Sequence, residues 1–173
     1  MSTAWYFAYG SNMESATLRG RRGIAFSRAM PALARGWRLV LDKPALLPVQ
    51  GAFANIIADA SAECCGVLYE IAPTELAHLD LTEGVLIGNY QRITISVQPL
   101  VAPQESISAF TLTSERRDPT LLPSQRYMGL LIAGALEHGL PAEYVAFLRT
   151  IPTGPESPEA AQLRPLIDQL MRK

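Results

Sequence analysis

The sequence predicts an α+β protein with a mixed or barrel-like β-sheet and flanking helices. Short apolar or alternating segments fill the first two thirds of the chain, and turn residues bound each of them. The last third carries apolar residues at helical spacing between helix-start and helix-stop residues. Strands that mostly precede helices are typical of the α+β class. A length of 173 residues suits one domain, so residues 1–173 are predicted to fold together.

Strands are predicted from period-two alternation and from short apolar runs with turn residues at their ends. The segment 32–42 alternates and contains Gly36, which predicts a strand with a bend at that glycine. Pro44 and Pro48 mark a loop after it, and residues 60–63 are predicted to join two further strands. The predicted strands cover residues 4–9, 32–42, 53–59, 64–71, 90–100 and 106–113.

Helices are predicted from their caps as well as from apolar spacing. Pro73 begins a short helix, because a proline in the first turn loses no hydrogen bond there. A second helix ends at Gly139, a third starts at Pro141, and Ser157 caps a last helix over about residues 157–173 that packs on the domain. The apolar stripe of that last helix favours contact with the core over a partner site, and it consists of Leu163, Leu166, Ile167 and Leu170.

Charge and cysteine content exclude several classes of function. The net charge of −1 provides no electrostatic footprint for nucleic acid or an anionic membrane, and no apolar stretch approaches a bilayer span. The cluster of Arg19, Arg21 and Arg22 is local and is interpreted as a solvated loop. Cys64 and Cys65 are adjacent and are interpreted as packing residues without a disulfide, which makes the cytoplasm the simplest compartment.

Metal, phosphate-loop and triad chemistry find little support in the residues. No spacing of His, Cys and carboxylates resembles a metal site, and the Gly-Ser-Asn segment lacks the second glycine and the lysine of a phosphate-binding loop. His78 and His138 lie in predicted helices, where a surface or structural role is expected. Spacing alone does not exclude a Ser-His-Asp triad.

Two segments remain as candidates for a site. The first is YGSN, residues 9–12, in which backbone N–H groups after a strand can bind an anion; an ordinary strand-end turn is the alternative. The second is LDLTEGV, residues 79–85, in which apolar neighbours can desolvate Glu83 and make it a candidate base; an exposed turn glutamate is the alternative. Neither segment is specific by itself.

Together with a third motif, the two segments occur in an order that resembles the gamma-glutamylcyclotransferase family. YFAYGSNM lies near the start, LDLTEGV is followed by Gly88-Asn89-Tyr90, and PSQRYMGLLIAGALEHGLPAEYVAFL lies near the end. The resemblance covers roughly residues 5–152. It implies a small mixed β-barrel with flanking helices and a cavity at one end. It also implies a cyclisation in which the α-amine of a gamma-glutamyl compound attacks its own amide, giving 5-oxoproline and a free amine or amino acid.

The resemblance assigns site residues position by position. Glu83 matches the catalytic acid/base, and Tyr127 matches a tyrosine that lines the substrate pocket. The matching substrate-binding loop consists of Tyr6, Phe7, Ala8, Tyr9, Gly10, Ser11 and Asn12. Because the base and a set of donors must meet at the same carbonyl, Glu83 is expected to lie beside the 9–12 loop in a concave pocket.

The resemblance further implies a cytoplasmic enzyme of glutathione-related metabolism. It would act on a small gamma-glutamyl molecule as a monomer or homodimer, with no nucleic acid, membrane, metal or cofactor. Two alternatives stay open. One is a specialised-pathway cyclotransferase that removes a gamma-glutamyl protecting group, with residues 19–22 as the candidate patch for a carrier protein. The other is a non-catalytic ligand-binding module on the same fold, against which the presence of Glu83 argues.

Overall fold

The computed structural model describes residues 3–46, 51–102 and 105–171, and five strands in it close into a barrel. The strands are β1 (Ala4–Ala8), β2 (Phe26–Pro44), β3 (Ala52–Ile71), β4 (Gln91–Pro99) and β5 (Ile107–Thr113). The helices are α1 (Pro73–Thr82), α2 (Gln125–Glu137), α3 (Ala142–Thr150) and α4 (Pro158–Met171). None of the helices among the described residues has the length and apolar character needed to span a bilayer.

A closed barrel with flanking helices confirms the predicted fold class. β3 lies between β1 and β2, and β2 continues to β4 and β5 through antiparallel pairs. β5 closes the barrel by pairing in parallel with β1, where Tyr6 lies opposite Phe110. Closure pairs β1 with β5, so neither of these two end strands of the sheet is left as an open edge. That residues 1–173 form one domain stays a prediction.

β2 and β3 form a long antiparallel pair where the sequence predicts shorter strands. Residues 52–71 are one strand, so the turn predicted at 60–63 is wrong, as is the division of this region into two strands. β2 also begins at Phe26, ahead of its predicted start at residue 32. Pro48, predicted to lie in the loop between these strands, is outside the described residues.

The predicted bend at Gly36 coincides with a shift in the register of this pair. Gly36 has a φ of +79°, a left-handed conformation that favours glycine. Arg35 pairs with Glu63 on one side of it, whereas Trp37 pairs with Ala58 on the other. β3 therefore accommodates its extra residues opposite Gly36 and stays continuous, so an interrupted apolar pattern here reflects a bulge and not a turn.

α2 packs directly against a short 3₁₀ turn, Ser11–Met13, that follows β1. Gly134 permits this approach, because a Cβ at this position would lie 2.6 Å from the carbonyl carbon of Met13. Ser124 caps the helix by accepting a hydrogen bond from the Tyr127 N–H at 3.1 Å. The same helix thus positions Tyr127 and supports the loop after β1.

The last helix, α4, has the predicted cap at Ser157, but its apolar stripe does not pack as predicted. Ser157 accepts a hydrogen bond at 3.1 Å from the backbone N–H three residues later, as a helix cap does. Leu166 and Leu170 are exposed, so the predicted contact of the whole stripe with the core is wrong. α4 instead reaches the segment before β2, where Asp168 forms an ion pair with Arg21.

Cys64 and Cys65 are buried and free, as their adjacency predicts. Burial raises the pKa of the Cys64 thiol to about 12 and that of the Cys65 thiol to about 11. Thiols with such pKa values remain protonated near neutral pH and are poor nucleophiles. Both cysteines therefore fit their interpretation as packing residues.

Candidate active site

A cavity of about 280 Å³ lies at the end of β1 and is lined by residues from both candidate segments, 9–12 and 79–85. Its wall is mostly apolar and includes the aromatic rings of Tyr6, Tyr9, Phe53, Tyr90 and Tyr127. The charged side chains that line it are those of Arg21, Arg22, Lys43 and Glu83. An apolar wall with a few convergent polar groups is typical of a small-molecule site.

The loop after β1 is fixed by the close packing of its glycine. A Cβ on Gly10 would lie 3.2 Å from both the Ala54 Cβ and the Tyr127 hydroxyl. The φ of Gly10 is −111°, so close approach, and not a left-handed backbone, is the reason for glycine here. Ser11 and Asn12 then begin the 3₁₀ turn, whose first N–H groups have no acceptor within the turn. The loop is therefore tightly held and begins with backbone donors.

Glu83 ends α1, and its position depends on the glycine that follows. α1 begins at Pro73 as predicted, and the Glu83 N–H donates to the Leu79 carbonyl at 2.9 Å. Gly84 has a φ of +69°, and a Cβ there would lie 2.9 Å from the Cβ of Asn89. Glycine thus permits a tight turn in which the Asn89 amide donates to the Glu83 carbonyl at 2.9 Å.

The Glu83 carboxylate is buried and is held by two residues from the first part of the chain. Glu83 is 6% exposed. Its Oε1 accepts a hydrogen bond from the Asn12 amide at 2.9 Å and lies 3.2 Å from Nε of Arg22. Asn12 also donates to the Tyr6 hydroxyl at 3.0 Å, and Arg22 donates to Oδ1 of Asn12 at 3.3 Å. The predicted proximity of Glu83 to the 9–12 loop is therefore present as direct contact.

The arginines interpreted as a solvated loop form specific contacts instead. The Arg22 side chain is 11% exposed and binds Glu83. Arg21 pairs with Asp168 of α4, and the Arg19 guanidinium lies over an aromatic ring at 3.8 Å. The interpretation as a solvated cluster is wrong for Arg21 and Arg22, which form ion pairs at the end of a π-helical turn over residues 17–21, whereas Arg19 is exposed.

Tyrosine hydroxyls connect the walls of the cavity. Tyr127 accepts a hydrogen bond from the Ala54 N–H at 3.0 Å, and Tyr90 donates to the carbonyl of the same residue at 2.9 Å. Tyr9 donates to the Leu112 carbonyl. Burial raises the pKa of Tyr9, of Tyr90 and of Tyr127. These phenols therefore stay protonated at neutral pH and act as hydrogen-bonding groups.

Phe7 and Ala8 do not line the cavity, although the resemblance includes them in the substrate-binding loop. Both are buried, at 0% and 1% exposure. Phe7 packs against Gly66 of β3, where a Cβ would lie 2.7 Å from Cζ of the ring. Their side chains contribute to packing of β1 against β3. The other assigned positions do line the cavity: Tyr6, Tyr9, Gly10, Ser11, Asn12, Glu83 and Tyr127.

Several lining residues escaped the sequence analysis. Asn89 and Tyr90 carried a signal, since they follow Gly88 in one of the family motifs, but no role was assigned to them. Lys43 carried a weaker signal: with Lys173 it makes up the lysines of the chain, and it follows an apolar run in β2. Arg22 carried none, because nothing local distinguishes it from its arginine neighbours.

Ser15, Glu137 and His138 lie together without forming a catalytic triad. Ser15 Oγ is 3.2 Å from Nε2 of His138, and Oε2 of Glu137 is 3.7 Å from the same nitrogen. In a triad the carboxylate holds the other ring nitrogen. None of these residues lines the cavity. His78 likewise has a structural contact, 2.8 Å from the Arg22 carbonyl oxygen. Among the described residues, no group of three or more His, Cys, Asp or Glu side chains could hold a metal ion.

The chain is similar in sequence to gamma-glutamyl cyclotransferases. The AIG2-like family profile matches residues 63–148, a range that includes Glu83 and Tyr127. Gamma-glutamyl cyclotransferase aclK of Aspergillus oryzae is 33% identical over 165 residues, which covers 84% of this chain and 60% of that protein. Gamma-glutamylcyclotransferase of Bos taurus is 30% identical over 149 residues, which covers 84% of this chain and 77% of that protein. The chain thus spans less than two thirds of its fungal relative and more than two thirds of its bovine one.

Solved structures share the same architecture. A gamma-glutamyl cyclotransferase structure superposes with a TM-score of 0.78 at 26% identity, covering 97% of this chain and 99% of that one. A yeast gamma-glutamyl cyclotransferase specific to glutathione has a TM-score of 0.63 at 12% identity, covering 86% and 94%, which supports the fold alone. The barrel architecture and the sequence similarities indicate the same family, and the buried Glu83 beside the loop after β1 is consistent with it. The chain belongs to the gamma-glutamylcyclotransferase family.

Proposed function

We propose that this protein is a gamma-glutamyl cyclotransferase that converts a small gamma-glutamyl compound into 5-oxoproline and a free amine or amino acid. The observation that carries the proposal is the 2.9 Å contact between Asn12 and Glu83 in the wall of the cavity. This contact unites the two motifs on which the family resemblance rests. It places a carboxylate beside a loop that begins with backbone donors.

Glu83 is assigned the role of acid and base. The substrate's α-ammonium group must lose a proton before its nitrogen can attack. The Glu83 carboxylate, held in place by Asn12 and Arg22, is assigned as the acceptor of that proton. The nitrogen then attacks the γ-carbonyl carbon and closes the lactam ring. As the bond to the leaving nitrogen breaks, that nitrogen receives the proton held by Glu83 and the second proton that the attacking nitrogen gives up, so the amine leaves as an ammonium and the carboxylate is restored.

The remaining groups of the cavity stabilise the transition state and orient the substrate and Glu83. Negative charge develops on the γ-carbonyl oxygen during the attack, and the first N–H groups of the Ser11–Met13 turn are suited to receive it. Arg22 contacts both Asn12 and Glu83, so it acts as a positioning residue for the carboxylate. The aromatic wall would fold the glutamyl chain so that the amine and the carbonyl meet.

Two observations favour a small-molecule substrate over the alternatives. A substrate carried by a protein would call for an accessible basic patch, but Arg21 and Arg22 are engaged in ion pairs with carboxylates. A module that only binds a ligand has no use for a buried carboxylate beside backbone donors. We further propose that the enzyme works as a monomer or homodimer, without metal or cofactor, in the cytoplasm, where its two buried thiols would stay reduced.

The test is incubation of the purified protein with a panel of gamma-glutamyl amino acids, gamma-glutamyl amines and glutathione. 5-Oxoproline release is followed by mass spectrometry, before and after dialysis against a chelator. Glu83→Gln serves as the inactive control. We expect release from at least one compound and no effect of the chelator. Absence of 5-oxoproline from every compound would overturn the proposed function, and recovery of chelator-lost activity by a divalent ion would overturn the metal-free mechanism.

A further inference from the structure

Lys43 is a fully buried lysine that lines the cavity. It has 0% exposure and lies near the end of β2. Its ammonium group donates to the Pro44 carbonyl at 2.8 Å and to Oδ1 of Asn89 at 2.5 Å. It also lies 4.6 Å from the centre of the Tyr90 ring. All of these partners are neutral.

The other cations in the wall of the cavity have carboxylate partners. Arg21 pairs with Asp168, and Arg22 pairs with Glu83. Within the described part of the chain, no Asp or Glu oxygen lies within ion-pair distance of the Lys43 ammonium. A buried charge without an opposite charge is costly, and removing an ammonium from water usually requires a partner that neutralises it.

A second cation, Arg116, adds positive charge next to the Lys43 ammonium. The Arg116 guanidinium donates to the same Oδ1 of Asn89 at 2.8 Å. Two cationic groups therefore converge on one neutral amide oxygen. Burial, reinforced by the charge of Arg116 and opposed by that of Glu83, lowers the pKa of Lys43 to about 8. The lysine is thus charged at neutral pH, in surroundings that would be stabilised by an anion.

We propose that Lys43 exchanges one of its neutral partners for a carboxylate of the substrate and thereby restricts the enzyme to gamma-glutamyl compounds that carry this carboxylate at the right place. The inference rests on the proposed function and deepens it by naming a residue that determines specificity. Through Asn89, whose amide donates to the Glu83 carbonyl at 2.9 Å, the lysine lies one residue away from the acid/base. A carboxylate on Lys43 would therefore anchor the substrate close to the reacting centre.

Two carboxylates of a gamma-glutamyl amino acid have the required chemistry. One is the α-carboxylate of the glutamyl group, next to the attacking amine. The other is the carboxylate of the amino acid that leaves. Gamma-glutamylalanine carries both, gamma-glutamylethylamide lacks the second, and gamma-glutamylalanine with the glutamyl α-carboxyl group as a primary amide lacks the first.

The experiment measures dissociation constants of these three compounds by calorimetry in the Glu83→Gln protein, with and without Lys43→Met. Methionine keeps much of the length of the side chain and removes the charge. Loss of a charge-assisted hydrogen bond should weaken binding of gamma-glutamylalanine about 10- to 100-fold. The compound that lacks the recognised carboxylate should have nearly the same dissociation constant with and without Lys43→Met. This result identifies which of the two carboxylates Lys43 binds.

Arg117→Met is the matched control. Arg117 is a half-exposed neighbour that pairs with Asp42 and does not line the cavity, so its loss should leave all three constants unchanged. Lys43→Arg, which keeps the charge, should restore part of the affinity, and Lys43→Gln replaces Lys43→Met if the latter fails to fold.

Equal weakening of all three compounds by Lys43→Met, or no weakening of any, would overturn the inference, as would the absence of measurable binding. The binding readout is independent of turnover. If the wild-type protein released no 5-oxoproline but its ligands still responded to Lys43→Met in this selective way, the proposed function would fail while the carboxylate site would stand.

Discussion

Asn12 donates a hydrogen bond to the Glu83 carboxylate at 2.9 Å, although 71 residues separate them in sequence. The contact joins the loop after β1 to the turn after α1. Arg22 touches both partners, at 3.3 Å from Asn12 and 3.2 Å from Glu83, so the three side chains form one buried unit. The three side chains come from different elements of the fold. We therefore expect substitutions at these and at neighbouring positions to have distinguishable effects on catalysis, on substrate binding and on folding.

Glu83→Gln should lower kcat about 10²–10⁴-fold, because an amide cannot take the proton of the substrate ammonium. Substrate affinity should change much less, since the loop and Tyr127 remain in place. The measurement is 5-oxoproline release at saturating and limiting substrate, with a thermal melt to confirm folding. Asp80→Asn is the control: Asp80 lies on α1, pairs with Arg92 and does not line the cavity, so turnover should persist. A folded Glu83→Gln protein with wild-type turnover would exclude Glu83 as the acid/base.

Tyr127→Phe should weaken substrate binding and lower the stability of the protein. Its effect on kcat should be smaller than its effect on KM. The substitution leaves the buried Ala54 N–H without the acceptor that now lies at 3.0 Å, a loss worth about 1–3 kcal/mol of unfolding free energy. Urea denaturation measures the stability, and KM and kcat separate binding from chemistry. Tyr144→Phe is a matched control outside the cavity, where the hydroxyl lies 3.6 Å from the Cys64 sulfur, and it should leave KM unchanged. A kcat loss as large as that of Glu83→Gln would instead place the Tyr127 hydroxyl in the chemistry.

Gly134→Ala should destabilise the protein and reduce its activity. The added methyl group would meet the backbone of Met13 and Glu14, including a nitrogen at 2.5 Å, and would displace the loop after β1. Gly129→Ala on the same helix has open space around the new Cβ and should stabilise the protein by about 0.5–1 kcal/mol. Thermal melts and 5-oxoproline release compare the two variants. If both alanines behaved alike, the fit of α2 against the loop would not control the site.

The pH dependence of stability should carry a contribution from Lys43. Its pKa is about 8 in the folded protein, against 10.5 for an ordinary lysine, because of burial and the nearby charge of Arg116, with Glu83 acting in the opposite sense. The unfolded chain therefore binds more protons in this interval, and the Lys43 contribution to stability rises as pH increases from about 8 toward 10.5. Below pH 8 the lysine is charged in both states and this gain is absent.

Urea denaturation of the wild-type protein and Lys43→Met at several pH values between about 7 and 9.5 tests this effect. Buried cysteines and tyrosines such as Tyr90 titrate in both proteins, so the difference in unfolding free energy between the two isolates Lys43. The wild-type protein should gain on the variant as pH rises. A difference that stays constant with pH would mean that Lys43 keeps an ordinary pKa.

Much of the fold and part of the site could be predicted from local sequence. The strands over residues 90–100 and 106–113 and the helix ends at Pro73, Gly139 and Ser157 follow from alternation, apolar spacing and capping, which depend on neighbouring residues only. The motifs around Gly10 and Glu83 were selected for similar reasons: each combines a turn-forming glycine with a group capable of binding or proton transfer. The family resemblance then linked the two motifs.

Tertiary structure decided which side chains enter the cavity. β3 is continuous because Gly36 on the facing strand absorbs a change of register, an effect that the β3 sequence does not contain. Arg22 reaches Glu83 because the turn before β2 folds back, and Phe7 turns into the core although Tyr6 and Tyr9 line the cavity. Lys43 became a candidate for substrate binding through the absence of a nearby carboxylate in the described chain. Which side chains meet in the cavity depends on closure of the whole barrel. The periodicity of a segment determines its own backbone conformation, but it does not determine which residues of the other strands lie opposite it.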